Sequence, residues 1–127
     1  MTDFALPDGR TLAWAEYGDP AGSPVVFIDG TPGSRLAHPP DEALTGIRLI
    51  TFDRPGYGRS TPAPRPTLLG VADAVGALAT SLDITRFGVL GFSGGAPYAL
   101  ACGARLPRRV TGVVAAALTG PDRKSVV

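Results

Sequence analysis

The chain has 127 residues, 44% of them hydrophobic, with 12 Lys and Arg against 11 Asp and Glu. This composition argues against a disordered chain and suffices for one modest domain, which we take to span residues 1–127. The net charge of +1 excludes the basic excess typical of nucleic-acid binding. We therefore expect no nucleic-acid partner. No apolar run is long enough to cross a bilayer, so we expect no membrane partner either.

Cysteine and histidine each occur once, as Cys102 and His38. A disulfide within the chain is therefore impossible, which favours a reducing compartment, and the N-terminus lacks the pattern of a secretory signal. We accordingly expect a cytoplasmic protein. One Cys and one His provide no metal-ligand spacing, and no phosphate-cradling loop is present, so we expect neither a metal nor a cofactor.

The first element predicted along the chain is a β-hairpin. Strand-like runs at Asp3–Leu6 and Thr11–Tyr17 flank an Asp-Gly turn signal. Further along, continuous apolar runs bounded by turn residues are typical of strands buried on both faces of a parallel sheet. These runs are Val25–Ile28, Ile47–Phe52, Phe87–Leu90 and Val110–Leu118.

Helical patterns lie between these strands. A weak one covers Pro40–Leu44, and an apolar stripe at three- and four-residue spacing predicts a helix from Leu68 to Leu82, with Thr67 as its cap. Another helix is expected from Gly94 or Gly95 to Arg105, with Pro97 tolerated in its first turn. Alternating strands and helices predict an α/β fold with a mostly parallel sheet.

The segment Gly91-Phe92-Ser93-Gly94-Gly95 lies between a predicted strand and a predicted helix. This is the context that the G-x-S-x-G nucleophile turn requires, and it makes Ser93 the candidate nucleophile. The following amide, on Gly94, is at a helix N-terminus and is placed to donate to an oxyanion. An ordinary Gly/Ser turn is the alternative interpretation. A dinucleotide-binding loop is disfavoured because it needs glycine where Ser93 stands.

Three segments in series are Asp29–Ser34, Asp53–Ser60 and Gly91–Gly95. In these segments the chain resembles the N-terminal portion of the α/β-hydrolase fold family, in particular small bacterial hydrolases related to proline iminopeptidases and esterases. The resemblance implies a leading hairpin, flanking helices and hydrolysis of ester or amide bonds through an acyl-serine intermediate. It also implies a second oxyanion donor, the amide of Thr31, and a bracing role for Asp53 and Arg54.

The chain departs from the family pattern at two points. Asp29 stands where the family usually has histidine, and its negative charge near an oxyanion would oppose transition-state stabilisation. The family also places its acid and its histidine after the nucleophile, whereas His38 precedes Ser93, so we do not expect His38 to be the base. Asp122 is the only carboxylate after Ser93. It is a possible acid, with a surface turn residue as the alternative.

Complete family members are considerably longer, so we expect a domain truncated after the strand that follows the nucleophile helix. Such a domain would have an exposed sheet edge open to self-association. Three functions remain open at this point. The chain is a hydrolase of small esters or amides that is impaired because the catalytic histidine is absent, or a non-catalytic fragment or ligand-binding pseudoenzyme. The third possibility is a subunit whose partner supplies the acid and the base.

Overall fold

The computed structural model has a seven-stranded sheet and two α-helices. It describes residues 2–6, 9, 11–28, 39–53, 68–118 and 124–126. The strand order is β1-β2-β4-β3-β5-β6-β7. The strands are β1 (Thr2–Ala5), β2 (Thr11–Gly18), β3 (Ser23–Ile28), β4 (Ile47–Phe52), β5 (Phe87–Phe92), β6 (Val110–Leu118) and β7 (Lys124–Val126), and the helices are α1 (Leu68–Ser81) and α2 (Ala96–Arg105).

The leading hairpin is confirmed. β1 and β2 pair antiparallel, with Ala5 opposite Thr11 at the closed end. Gly9 adopts a φ of 89° in the turn and donates its amide hydrogen to the Leu6 carbonyl at 2.9 Å. A left-handed φ of this kind favours glycine, which explains the Asp-Gly signal. β2 then continues into the sheet by pairing antiparallel with β4.

The middle of the sheet is parallel. β3 pairs parallel with both β4 and β5, and β5 pairs parallel with β6. Side chains of the central strands are almost fully buried, among them Val26, Ile50 and Val89, each exposed by 2% or less. This burial explains the continuous apolar runs of the sequence, because a strand that is covered on both faces has no solvent-facing side and so no alternating polar residues. The predicted α/β class is therefore confirmed.

Both α-helices contribute to a single apolar core with one face of the sheet. α1 buries most of the stripe that its sequence spacing predicted, including Ala72, Val75 and Leu78. Leu68 and Leu69, which the spacing also placed in the stripe, are 45% and 49% exposed at the start of the helix. The chain leaves α1 through Asp83, which has a φ of 59° in the left-handed region, and the Ile84 amide then donates to the Ala79 carbonyl. Aspartate tolerates this conformation better than most residues, so it ends the helix at modest cost.

The opposite face of the sheet has a smaller core. Phe27, Leu44 and Leu49 form a separate buried cluster there, and Leu44 belongs to a 3₁₀ turn over Asp41–Leu44. The sequence predicted helical structure at this place, and a single 3₁₀ turn is found instead of an α-helix. The turn cannot extend far, because Gly46, two residues beyond Leu44, has a φ of 73° that breaks the helical path.

Arg109 joins several elements at the edge of the sheet where β5 and β6 begin. Its guanidinium donates to the carbonyls of Gly76, Ile84 and Thr85 at 3.0, 2.7 and 3.1 Å, and to the Thr80 hydroxyl at 3.0 Å. It also lies 5.7 Å from the centroid of the Phe87 ring. The planar fork of arginine suits several convergent acceptors, so this side chain ties α1 to the sheet.

The far edge of the sheet differs from the sequence expectation. No strand was predicted at β7, which pairs antiparallel with Ala116–Leu118 at the end of β6. Within the described part of the chain, β6 has no strand partner on its outer side over residues 110–115.

Candidate active site

The backbone at Ser93 turns sharply from strand to helix. β5 lies between β3 and β6 and ends at Phe92, a 3₁₀ turn covers Ser93–Gly95, and α2 begins at Ala96. The predicted helix start at Gly94 or Gly95 was one or two residues early, because these residues form the tighter 3₁₀ turn. The main chain of Ser93 is thus at the carboxyl edge of the parallel strands, where open α/β sheets bind their ligands. The structure does not describe the side chain of Ser93.

Gly91 makes this turn sterically possible. A Cβ atom built on Gly91 would lie 2.6 Å from the Ala99 Cβ, 2.6 Å from the Gly95 carbonyl oxygen and 3.0 Å from the Ala96 Cα. Two of these three atoms belong to the backbone, which has little freedom to move away. Glycine at position 91 therefore lets α2 fold back closely over the end of β5.

Small residues keep α2 close to the sheet along its length. Ala99 and Cys102 are completely buried against the core, and a Cβ at Gly103 would meet the Val113 side chain at 2.9 Å. The sequence indicated this close approach through its small residues, but it did not identify Ala99 as the direct neighbour of Gly91. That contact depends on how the helix is rotated over the sheet, which the pattern of small residues leaves open.

The amino terminus of α2 faces the same edge as Ser93. Gly95 is its N-cap, with φ −81° and ψ −15°, and no side chain there accepts a hydrogen bond from the helix. Gly94, inside the preceding turn, is exposed. The first amide groups of a helix carry partial positive charge and lack partners within the helix. An anion at this edge would therefore meet a favourable field.

Several residues singled out from the sequence lie outside the described residues. They are the proposed oxyanion donor Thr31, the possible acid Asp122, the departures at Asp29 and His38, and Arg54. The structure therefore brings none of them to Ser93 and separates none of them from it. Their assigned roles remain predictions.

Asp53 follows β4 directly and is completely buried. Its amide hydrogen bonds the Ala13 carbonyl of β2 at 2.9 Å, which continues the antiparallel pairing of β2 and β4 past the end of the strand. A buried carboxylate at this edge of the sheet needs hydrogen-bond partners in the neighbouring loops. Its position agrees with a bracing role and is two strands away from β5 in the sheet.

Cys102, the single cysteine of the sequence, is completely buried on α2. Burial raises the pKa of its thiol from 9.0 to about 12, because the thiolate would lose its hydration. A thiol that stays protonated and covered is a poor nucleophile. Cys102 is therefore a packing residue rather than a second catalytic group.

Two open clefts lie at the opposite end of the molecule from Ser93. One, of about 560 Å³, is lined by Thr80, Asp83, Ile84, Thr85 and Arg109. The other, of about 520 Å³, shares Thr80 and Arg109 and extends towards Phe4 and Leu106. Neither lining includes a residue of the 91–96 turn, so these clefts are separate from the candidate site.

Within the described residues, no group of three or more His, Cys, Asp and Glu side chains is arranged to hold a metal ion. In the same part of the chain, neither α-helix has the length and apolarity that a membrane span requires.

Comparison with known proteins identifies the arrangement. A family model described as alpha/beta hydrolase fold matches residues 23–125. The chain is 37% identical over 120 residues to a proline iminopeptidase of Xylella fastidiosa and 35% identical over 118 residues to one of Arabidopsis thaliana. These matches cover 87% and 88% of this chain but 37% and 31% of the relatives. The chain therefore spans about a third of the length of the curated relatives it matches.

Solved structures agree with the family model. A hydrolase from Pseudomonas aeruginosa superposes with a TM-score of 0.78 and 25% sequence identity. The match covers 94% of this chain and 48% of that hydrolase. The strand order and the turn between β5 and α2 are thus part of an architecture shared with a longer protein.

Proposed function

The chain belongs to the α/β-hydrolase fold family, and from that premise we propose that it carries the nucleophile of a hydrolase acting on small esters or amides. The observation that carries this proposal is the place of Ser93. It begins the turn between β5 and α2, at the carboxyl edge of the parallel strands and directly before a helix N-terminus. In this role its hydroxyl oxygen attacks the substrate carbonyl to form a tetrahedral oxyanion. That intermediate collapses to the acyl-enzyme as the bond to the alcohol or amine breaks and the leaving group takes up the serine proton.

The oxyanion produced by that attack needs donors in fixed positions. We assign the first donor to the amide of Gly94, because it follows Ser93 and belongs to the turn that opens α2. The second donor is the amide of Thr31. Support for Thr31 comes from its segment, which follows β3, the parallel neighbour of β5. Carboxyl ends of neighbouring parallel strands meet at one edge of a sheet, so the two amides are expected to converge.

Proton transfer from the Ser93 hydroxyl requires further groups. A serine hydroxyl needs a base, normally a histidine that a carboxylate orients. His38 is the only histidine of the sequence and precedes the nucleophile, and Asp122 is the only carboxylate after it. We therefore assign the base to neither residue, keep Asp122 as a candidate acid, and expect negligible turnover from residues 1–127 alone.

The test is covalent labelling with an alkyl fluorophosphonate, which reacts with activated serines. We expect labelling of the folded chain at Ser93, located by peptide mass spectrometry, and no labelling of Ser93→Ala. Ser81→Ala is the matched control, because Ser81 is exposed on α1 and donates to the Leu78 carbonyl. Equal labelling of Ser93→Ala and the unaltered chain would overturn the assignment.

A non-catalytic role as a ligand-binding protein or fragment is the second candidate, and the missing base favours it. Ester turnover by the purified chain that Ser93→Ala abolishes and Ser81→Ala leaves intact would exclude this candidate. A partner chain that supplies the acid and the base is compatible with labelling but not with turnover by the chain alone. The single cysteine, which allows no disulfide within the chain, supports a reducing compartment such as the cytoplasm.

A further inference from the structure

We propose that Ala99 is a positioning residue for the reaction at Ser93, because it sets where α2 begins relative to the end of β5. The inference rests on the proposed function, since it concerns the geometry between the nucleophile and the amide of Gly94. Ala99 is in the first turn of α2 and is completely buried. It acts through the turn that carries Ser93 rather than on the substrate itself.

The methyl group of Ala99 lies against the end of β5. A Cβ atom built on Gly91 would be 2.6 Å from the Ala99 Cβ, whereas carbon atoms in contact are separated by about 3.5–4.0 Å. Glycine has no side chain that could rotate away from a larger residue at position 99. Because Ala99 is 0% exposed, atoms added there have no solvent to enter either. They must displace the strand or the helix.

The strand is the more firmly held of these two elements. Gly91 is paired with Ile28 of β3 on one side and with Ala115 of β6 on the other. The turn over Ser93–Gly95 belongs to no strand, and no side chain caps the helix at its N-cap. Added volume at position 99 therefore moves the start of α2 and the turn before it, while the strand keeps its place.

The backbone of Ala99 is tied to the far side of the turn. Gly95 is the N-cap of α2, and the carbonyl of an N-cap accepts the first hydrogen bond of the helix, from the amide four residues on. That amide belongs to Ala99. Ala99 thus contacts Gly91 through its methyl group and Gly95 through its amide. These glycines lie two residues before and two residues after Ser93, so a shift of Ala99 reaches both ends of the turn.

Distances within this turn matter for the proposed reaction. The amide of Gly94 stabilises the oxyanion only if it stays within hydrogen-bond distance of the oxygen that forms when Ser93 attacks. Misplacement of a reacting group by about 1 Å can lower a rate by about a hundredfold. The size of residue 99 therefore controls the rate of the first chemical step, and a single methyl group is the size that fits.

The test is the second-order rate constant for modification of Ser93 by an alkyl fluorophosphonate, with circular dichroism to verify folding. Ala99→Val adds two methyl groups beside Gly91 and should lower this rate constant about tenfold or more. Ala101→Val is the matched control, because Ala101 is also buried on α2 but lies about 160° round the helix from Ala99. It adds the same volume away from the turn, so the rate constant should fall by less than about threefold.

A rescue experiment distinguishes positioning from a general loss of stability. Gly91→Ala should slow the modification, and adding Ala99→Gly should restore the rate constant about threefold or more, because the methyl group that the new Cβ meets is then absent. Recovery is partial, since the contact of that Cβ with the Gly95 carbonyl remains. Ala101→Gly lowers helix propensity equally and should restore nothing. The absence of rescue, or a rescue that Ala101→Gly matches, would contradict the positioning role.

The outcomes separate this inference from the proposed function. If Ser93 of the unaltered chain is not modified, both fail. If it is modified but Ala99→Val is slowed no more than Ala101→Val, the positioning role alone fails. The rescue decides the matter if Ala99→Val does not fold, because Gly91→Ala together with Ala99→Gly leaves the number of side-chain carbon atoms unchanged.

Discussion

Replacing Gly91 by alanine tests whether the turn at Ser93 depends on close packing of α2 against β5. The new Cβ would meet the Ala99 Cβ and the Gly95 carbonyl oxygen at 2.6 Å, well inside van der Waals contact. The start of α2 must therefore move, and overpacking of this kind costs about 3 kcal/mol where backbone is involved. Unfolding entropy scales with length at about 2.1 cal/mol/K per residue, so for 127 residues the melting temperature should fall by about 11 °C.

Two other glycines provide a graded comparison. In Gly103→Ala the new Cβ meets only the Val113 side chain, at 2.9 Å, and the gain in helix propensity of about 1 kcal/mol offsets much of that contact. In Gly112→Ala no atom lies within 4 Å of the new Cβ, so stability should change by less than about 0.5 kcal/mol. We expect the loss of stability to be greatest for Gly91 and small for the other two.

The assay is reversible urea denaturation of the three variants, followed by circular dichroism and by fluorescence of Trp14. Coincident transitions would establish that a single free energy of unfolding describes each variant. A loss below about 1 kcal/mol for Gly91→Ala, or an equal loss for Gly103→Ala, would refute the close-packing argument.

Three further results are expected from charged and buried groups. The thiol of Cys102 should resist a disulfide reagent at pH 8 in the folded chain and react only on unfolding. The pKa of this thiol is about 12 in the folded chain and 9.0 in the unfolded chain. Its contribution to the free energy of unfolding is therefore complete below pH 9 and is lost as the pH rises towards 12. Cys102→Ala should flatten the decline in stability over that pH range, as measured by alkaline denaturation. Arg109→Ala should lower the free energy of unfolding, measured by urea denaturation, by about 2–4 kcal/mol, because it removes four hydrogen bonds. Arg108→Ala, at the exposed neighbouring residue, should lower it by less than about 0.5 kcal/mol. Asp73→Asn should change stability by less than about 1 kcal/mol, since both partners of its pair with Arg105 are half exposed, and a larger loss would show coupling across the α1–α2 contact.

Local sequence pattern was enough to locate the elements that surround the candidate site. The apolar stripe from Leu68 predicted α1 to within one residue at its end, and the run Ile47–Phe52 matched β4 at both ends. These predictions succeeded because burial on one helix face or on both strand faces leaves a direct trace in the order of apolar residues. Glycine and serine between strand and helix likewise located the turn at Ser93.

Features that depend on distant parts of the chain were not predictable in this way. β4 lies between β2 and β3 in the sheet, and nothing in the residues of β4 indicates that order. The three residues of β7 include a lysine and have no apolar run, so their extended pairing reflects the edge that β6 offers. Arg109 is one of many arginines in the sequence, and only the fold reveals how many carbonyls converge on it.

The position of β5 beside β3 has a consequence for synthesis on the ribosome. β3 acquires its second neighbour only when the register pair of Val25 and Gly88 forms, so the chain must grow by 63 residues between these two positions. At about 5–20 residues per second, this interval lasts roughly 3–13 seconds. During that time Val25, Val26 and Phe27 lie on an open, apolar strand edge. We therefore expect the nascent chain to need protection from aggregation until β5 emerges, which makes the interval between β3 and β5 its most vulnerable stage.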